Sequence, residues 1–234
     1  MKIADAVVLV TGANRGLGEA FARIALERGA RKVYATARDA ASVRLSGVVP
    51  LALDVTHPED AAAVAQAAPD VQLVVNNAGI ALAGGILQAQ GVESLRRQFD
   101  TNVFGMLHMA QAFAPVLERN GGGAIVNMLS ALSWINAPAL SGYCVSKSAA
   151  WMLTNALRNE LRAQGTQVVG VHAGFIDTDM AAGFGGPKTA PAVVVGQAFD
   201  AVEQGLEQVL ADGPARHVHA GLAAGAYLQP APLG

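Results

Sequence analysis

A tyrosine and a lysine stand four positions apart in the stretch SGYCVSK, at Tyr143 and Lys147. On a helix, residues at this spacing lie on one face, so the phenol and the ammonium can both reach one bound molecule. A tyrosine can donate a proton to a reacting oxygen, and a nearby cation stabilises its ionised form. The same spacing also occurs on ordinary helices, where both groups are simply solvated. The pair is therefore a candidate acid with its tuning cation.

A glycine-rich segment, TGANRGLGEAF, follows the apolar run AVVLV near the start of the chain. It places Gly12, Gly16 and Gly18 between a predicted strand and a predicted helix. Such glycines allow a tight turn and bring a pyrophosphate close to the helix N-terminus, with its N–H donors and partial positive charge. The G-x-x-x-G-x-G spacing differs from G-x-G-x-x-G, but this context favours a dinucleotide site over a merely flexible turn.

The choice between NADP(H) and NAD(H) depends on the end of the second predicted strand, KVYATA. This strand is followed by Arg38 and Asp39. In dinucleotide folds this place faces the adenosine ribose, where an acid suits a 2′-hydroxyl and an arginine suits a 2′-phosphate. Arg15, inside the glycine loop, is a second cation for the same phosphate. NADP(H) is therefore favoured over NAD(H). The alternative makes Asp39 the ribose ligand and Arg38 a surface charge.

Short β-like runs alternate with helical segments along the chain: AVVLV, KVYATA, VVPLALD, VQLVVNNAG, AIVNMLS and QVVGVHAG. This alternation predicts an α/β fold with a doubly wound parallel sheet, in a single domain spanning residues 1–234. About ten residues separate the second and third strands, so the helix between them must be short. Thr56-x-x-Glu59 predicts a capping box. The segment 181–192, AAGFGGPKTAPA, predicts a mobile substrate flap.

The composition narrows the class of function. With 234 residues, 52% of them hydrophobic and 15% charged, the chain suits one well-buried domain. A net charge of −2 provides no basic stripe for nucleic acid and no polybasic membrane segment. No apolar run approaches the roughly 18 residues of a membrane span, and no signal peptide is visible. The lone Cys144 cannot form an internal disulfide, which predicts a reducing, cytoplasmic location.

Taken together, the motifs resemble those of the short-chain dehydrogenase/reductase family over about residues 5 to 180. They are TGANRGLG, NNAG at 76–79, Asn102 in TNVFG, Ser130 in IVNMLS, and Tyr143-x-x-x-Lys147. The resemblance implies a Rossmann-like fold and a homodimer or homotetramer formed through the helices that carry Asn102 and Tyr143. Two departures stand out. The family's usual Pro-Gly after the sixth strand is Ala173-Gly174, and its C-terminal pattern is hard to find.

The resemblance also implies where the cofactor contacts the chain. Asp54 and Val55 would contact the adenine, and Thr178 would meet the nicotinamide amide. Asn76 and Gly79 would border the cofactor. The full implied set is Gly12, Asn14, Arg15, Gly16, Leu17, Gly18, Arg38, Asp54, Val55, Asn76, Ala78, Gly79, Tyr143, Lys147, Gly174, Ile176 and Thr178.

The implied reaction explains the catalytic residues. Hydride reduction of a ketone or aldehyde leaves an alkoxide that must be protonated, and Tyr143 would donate the proton. A free phenol with a pKa of about 10 is a weak donor, so Lys147 and the positive nicotinamide would lower the pKa, and Lys147 would also bind the nicotinamide ribose. Ser130 would orient the carbonyl, unless its hydroxyl is satisfied by backbone. Asn102 would hold a water that relays protons to Lys147, or brace the sheet as a buried amide.

The remaining histidine, cysteine and aromatic residues bear on metal binding and on the substrate pocket. No metal site is predicted, because His57, His108 and His172 are scattered and the pair at 217 and 219 lacks a third ligand. Cys144 lies roughly 100° around the helix from its neighbour Tyr143, which indicates a small buried side chain. The aromatic and thioether residues that follow the strand ends would form either core or an apolar pocket: Trp134, Phe175, Met180 and Phe184.

The sequence thus predicts an NADPH-dependent oxidoreductase that reduces an apolar or aromatic ketone or aldehyde, reversibly, with a small-molecule carbonyl or alcohol as its partner. One alternative is an NAD-dependent alcohol dehydrogenase of the same family. Another is a dinucleotide-sensing regulator with weak turnover, although such a protein would not need the acid. A nucleotide-sugar epimerase or dehydratase would need a longer chain with an added substrate domain.

Overall fold

A parallel sheet of seven strands forms the centre of the computed structural model, which describes residues 1–229. The strands are β1 (Val7–Thr11), β2 (Lys32–Ala37), β3 (Val49–Ala52), β4 (Leu73–Asn76), β5 (Ala124–Met128), β6 (Gln167–His172) and β7 (Gln208–Leu210). Their order is β3-β2-β1-β4-β5-β6-β7, and every neighbouring pair is parallel. The predicted Rossmann-like fold is therefore confirmed. Strand β7 was not predicted, because its three residues are too few to show a pattern.

Helices cover both faces of this sheet. They are α1 (Gly16–Glu27), α2 (Pro58–Ala67), α3 (Gly91–Phe99), α4 (Gly105–Arg119), α5 (Ser141–Glu160), α6 (Pro191–Gln204) and α7 (Gly213–Gly221). A π-helical turn, Asp100–Phe104, joins α3 to α4. The short helix predicted between β2 and β3 is a single 3-10 turn, Ala40–Ser42. Within residues 1–229, no helix has both the length and the apolarity to cross a membrane.

The core explains why these segments form a doubly covered sheet. All five residues of β1 are buried, as expected for a strand with helices on both sides. Val8 and Val10 belong to the cluster on the face of α1 and α6, whereas Val7 and Leu9 belong to the opposite one. This alternation fixes the register, because a slip of one residue would exchange the two faces.

Two predicted details are wrong. Helix α2 begins at Pro58, whose fixed φ suits the first helical position, and the N-cap residue His57 makes no side-chain cap bond. The Thr56 hydroxyl instead donates to Asp54 Oδ1 at 2.7 Å, so there is no capping box. The predicted flap, 181–192, is also too long at its C-terminal end, because Pro191 occupies the first position of α6. Its mobility stays a prediction.

Candidate active site

A cavity of about 1550 Å³ opens where the strands of the sheet end. Residues that directly follow six strands line it: Gly12, Arg38, Leu53, Asn77, Leu129 and Ala173. Parallel strands present their carboxyl ends at one edge, and the strand order reverses between β1 and β4. Such a reversal is where ligands bind in open α/β sheets.

The glycine loop forms one wall of the cavity. Gly12 and Gly16 have φ angles of +64° and +57°, which favour glycine. A Cβ at Gly18 would overlap the Gly12 carbonyl oxygen, so α1 can start this close to β1 only with glycine there. The N-cap residue of α1, Arg15, makes no side-chain cap bond, and Gly16, Leu17 and Gly18 all line the cavity. This helix N-terminus suits a pyrophosphate.

The opposite end of the groove carries the groups predicted to distinguish the two dinucleotides. Arg38 is exposed and lines the cavity. The neighbouring Asp39 also lines it, but its Oδ1 accepts the Ala41 N–H at 2.9 Å and so caps the 3-10 turn. Burial acts to raise the pKa of Asp54, but two hydrogen bonds from Thr56, together with the nearby His57 and Arg38, lower it by more, so the net pKa is lowered and the carboxylate is ionised.

Arg15, the second predicted phosphate ligand, forms an ion pair with Asp179 at 3.2 Å across the groove. The two side chains are 73% and 78% exposed, so water screens the pair and it contributes little to stability. The arginine is therefore free to exchange this partner for a phosphate.

Tyr143 and Lys147 both line the cavity from the first two turns of α5. The Lys147 ammonium lies 5.7 Å from the centre of the Tyr143 ring and donates to the Met128 carbonyl oxygen at 2.7 Å. Burial lowers the pKa of Lys147 to about 8. Burial also raises the pKa of Tyr143 to about 12, with the Ser130 hydroxyl acting in the opposite direction. The protein groups alone thus do not produce the lowered tyrosine pKa that the sequence analysis expected.

Ser130 lies at the cavity wall directly after β5 and is buried. Its hydroxyl accepts the Leu132 N–H at 3.1 Å and donates to the Ala173 carbonyl oxygen over a long 3.4 Å. His172 Nδ1 lies 3.1 Å from the Ser130 carbonyl oxygen, and burial lowers the pKa of His172 to about 4. A neutral imidazole with its hydrogen on Nδ1 therefore holds the serine backbone. The long bond to Ala173 can be exchanged for one to a ligand.

Comparison with known proteins agrees with this geometry. A family model described as short chain dehydrogenase matches residues 6–186. The chain belongs to the short-chain dehydrogenase/reductase family. A short-chain dehydrogenase from Burkholderia cenocepacia, solved in complex with NADP, is 39% identical, with a TM-score of 0.92 over 96% of this chain and 95% of that one.

Two curated relatives are similar over shorter stretches of the chain. The D-erythrulose reductase of Gallus gallus is 35% identical over 178 residues, which cover 74% of this chain and 72% of the relative. The probable oxidoreductase EphD of Mycobacterium bovis is 37% identical over 202 residues, which cover 79% of this chain. The match spans only 34% of the length of that mycobacterial protein.

The NNAG segment, residues 76–79, differs from its predicted role at one residue. Asn76 does not line the cavity. It is the buried last residue of β4, and its amide donates to Asn127 Oδ1 at 2.8 Å. Asn77 faces the glycine loop instead, donating to the Thr11 and Gly12 carbonyl oxygens at 2.9 and 3.2 Å. Successive strand residues point to opposite faces, which decides between the two asparagines.

Asn102 lies in the π-helical turn and behaves as a brace. Its Oδ1 accepts the Ile80 N–H at 2.9 Å, and its amide donates to the Ile80 carbonyl oxygen and the Ser146 hydroxyl, both at 2.9 Å. The side chain is buried and Asn102 does not line the cavity, although Thr101 does. These contacts support the bracing alternative, and a proton relay through Asn102 stays a prediction.

The other predicted cofactor residues lie at the cavity wall: Asn14, Leu17, Asp54, Val55, Ala78, Gly79, Gly174, Ile176 and Thr178. Apolar residues beyond Tyr143 line the outer part, including Leu132, Ile135, Leu140, Phe175, Met180 and Phe184. Trp134, a predicted pocket candidate, does not line it and stacks on His172 at 3.9 Å. Cys144 is a buried free thiol, as predicted.

The C-terminal segment is a part of the site that the sequence analysis missed. Gly213, Pro214, His217, Val218 and Gly221, all in α7, line the outer cavity. Their sequence, GPARHVHAG, carries no motif that indicates such a role. Within the described range, His, Cys, Asp and Glu residues form no group of three that could hold a metal ion.

Proposed function

We propose that the protein is an NADPH-dependent reductase of apolar or aromatic ketones and aldehydes, reversible as an alcohol dehydrogenase. The observation that carries this proposal is the single cavity shared by the glycine loop, Arg38 and the groups Ser130, Tyr143 and Lys147. A protein that only senses a dinucleotide would need the first two features and not the last three.

Bound NADPH would supply the hydride. The glycine loop and the N-terminus of α1 would hold its pyrophosphate, and Lys147 would bind its ribose. Ser130 donates a hydrogen bond to the substrate carbonyl oxygen, which orients the carbonyl group. Tyr143 transfers its hydroxyl proton to that oxygen as the alcohol forms, and the resulting tyrosinate regains a proton from water. Lys147 stabilises the tyrosinate in between.

The outer cavity supports an uncharged substrate. Beyond Tyr143, the residues Leu132, Ile135, Leu140, Phe175, Met180 and Phe184 are apolar, and His217 and Gln229 are polar and exposed. A phosphate or carboxylate on the substrate would enter this mostly apolar space at a desolvation cost. The test is NADPH oxidation with matched pairs of substrates, for example an aryl methyl ketone and its ring carboxylate. Turnover of the charged member alone, or of neither, would contradict the proposal.

Arg38 is proposed to select NADPH over NADH. We expect Arg38→Ala to lower kcat/KM for NADPH by about tenfold to a hundredfold and to change kcat/KM for NADH little, because a charge-assisted bond to the 2′-phosphate is lost. Steady-state kinetics with both cofactors measures this. Arg44→Ala is the control, since it removes the same charge from an exposed position outside the cavity. An equally efficient reaction with NADH in the wild type, abolished by Asp39→Ala, would make Asp39 the ribose ligand.

The protein is further proposed to self-associate through α4, α5 and the π-helical turn, as a dimer or tetramer. Phe104, Val145 and Met152 are 46%, 39% and 60% exposed there, so these elements present apolar side chains that an association surface would cover. We expect Phe104→Glu combined with Met152→Glu to yield a monomer in light scattering. Leu206→Glu, at a 50% exposed residue after α6, should leave the assembly intact. A monomeric wild type would contradict the proposal. The cytoplasmic location stays a prediction.

A further inference from the structure

A buried carboxylate joins three segments beside the substrate end of the cavity. Asp212 follows β7 and is 5% exposed. Its Oδ2 accepts the Gly174 N–H at 2.7 Å and the Thr189 hydroxyl at 3.3 Å. Its Oδ1 accepts the Ala215 N–H at 2.8 Å and thereby caps α7. Both oxygens of one carboxylate are therefore used, by donors from three different parts of the chain.

The Gly174 N–H belongs to the turn after β6, which we call the cofactor turn. The Thr189 hydroxyl belongs to the neck of the loop 178–188, which we call the substrate loop. Gly174 lines the cavity in the turn after β6, where the family's usual proline is replaced by Ala173. Thr189 closes the neck of the loop 178–188, because its N–H donates to the Phe175 carbonyl oxygen at 2.8 Å and its carbonyl accepts the Asp177 N–H at 3.0 Å. That loop carries Phe184, which stacks on Phe175 with ring centres 4.8 Å apart.

The third donor belongs to α7, which covers the outer cavity. A Cβ at Gly174 would lie 3.0 Å from Pro214 Cβ, so the helix packs directly on the cofactor turn because residue 174 is glycine. His219 also lies edge-on to Trp134, with ring centres 5.1 Å apart. The position of α7 is therefore defined by several contacts, and the Asp212 carboxylate is the one that also reaches the loop.

We propose that Asp212 is a positioning residue for the substrate. Its carboxylate sets the spacing between the Gly174 turn, the neck of the substrate loop and α7, and this spacing sets the width of the outer cavity. A helix cap alone would need only the bond to Ala215, whereas the other oxygen serves Gly174 and Thr189. The role in turnover rests on the reductase function proposed above. The arrangement of the three segments does not depend on that function.

Asp212→Asn separates bracing from capping, because asparagine is as good an N-cap as aspartate. Its single amide oxygen can serve Ala215, but its NH₂ group then faces the Gly174 N–H and cannot accept it. We expect KM for the carbonyl substrate to rise about tenfold or more, with a smaller fall in kcat. The dissociation constant for NADPH should rise less than KM, because only the Gly174 turn is disturbed, whereas the glycine loop and Arg38 lie at the other end.

Two threonine variants calibrate this result. Thr189→Val removes only the loop's bond to Asp212, so we expect a smaller rise in KM. Thr166→Val is the control. It removes the buried 2.6 Å hydrogen bond from the Thr166 hydroxyl to the Gly122 carbonyl oxygen. This bond lies at the amino end of β6, away from the cavity, so KM should be unchanged.

Hydrogen exchange tests the brace without turnover. In Asp212→Asn, exchange should become faster in 173–175 and in 182–190, whereas Thr189→Val should affect 182–190 alone, and α7, whose cap is kept, should change little in both variants. Unchanged exchange in 173–175 and 182–190 would make Asp212 a mere cap and overturn the proposal. A lower melting temperature with unchanged KM in the folded enzyme would also overturn it. If no carbonyl compound supported NADPH oxidation by the wild type, the reductase function would be refuted. The exchange pattern would still test whether Asp212 braces the three segments.

Discussion

Tyr143→Phe is expected to lower kcat by about 100-fold to 10,000-fold, the usual contribution of a positioned general acid. The substitution removes only the hydroxyl and keeps the ring, which packs against the buried cluster of Ala137, Leu140 and Cys144. NADPH binding should persist, because the glycine loop, Arg38 and Lys147 are untouched. Single-turnover oxidation of bound NADPH would separate the chemical step from product release, and fluorescence titration would give the dissociation constant.

Tyr34→Phe is the matched control for this experiment. Its hydroxyl accepts from Lys32 at 3.2 Å and donates to Asp70 at 2.9 Å, away from the cavity. It should keep wild-type turnover. If Tyr143→Phe also kept wild-type turnover, another group would have to supply the proton and the proposed mechanism would be wrong.

Lys147→Ala is expected to lower both turnover and cofactor affinity. The ammonium that would stabilise the tyrosinate also would bind the ribose, so both properties depend on the same group. Loss of the side chain also leaves the buried Met128 carbonyl oxygen without its 2.7 Å donor. Lys147→Met keeps most of the packing and removes only the charge and the donors. We therefore expect the same kinetic defects in both variants, and turnover lost with full NADPH affinity would contradict ribose binding.

The lysine also predicts a pH dependence of stability. Burial lowers its pKa from 10.5 to about 8 in the folded state, so the unfolded chain binds more protons between these values. The free energy of unfolding of the wild type should therefore rise relative to Lys147→Met as the pH increases from 8 to 10.5. Denaturant titrations across that range measure the difference. A difference that does not change with pH would show that Lys147 is not desolvated.

Local sequence determined the fold class and most of the cofactor groove. Strand and helix periodicity, the strand before the glycines and the helix after them are short-range properties. The chain alone therefore specifies where Gly12, Gly16 and Gly18 and the end of β2 must meet. The Tyr143 and Lys147 spacing likewise follows from one helix, because residues four apart share its face.

The tertiary structure decided what depends on distant neighbours. Packing between strands and helices decides which asparagine of NNAG faces the glycine loop. It also decides which groups form hydrogen bonds with the Asn102 side chain. The pKa values of Tyr143 and Lys147 depend on burial, which no spacing reports. The bond from Gly174 to Asp212 joins residues 38 positions apart, and β7 and α7 carry no motif. Long-range packing against the turn after β6 therefore decides whether the C-terminal segment lines the site. No sequence pattern near residue 212 indicates this packing.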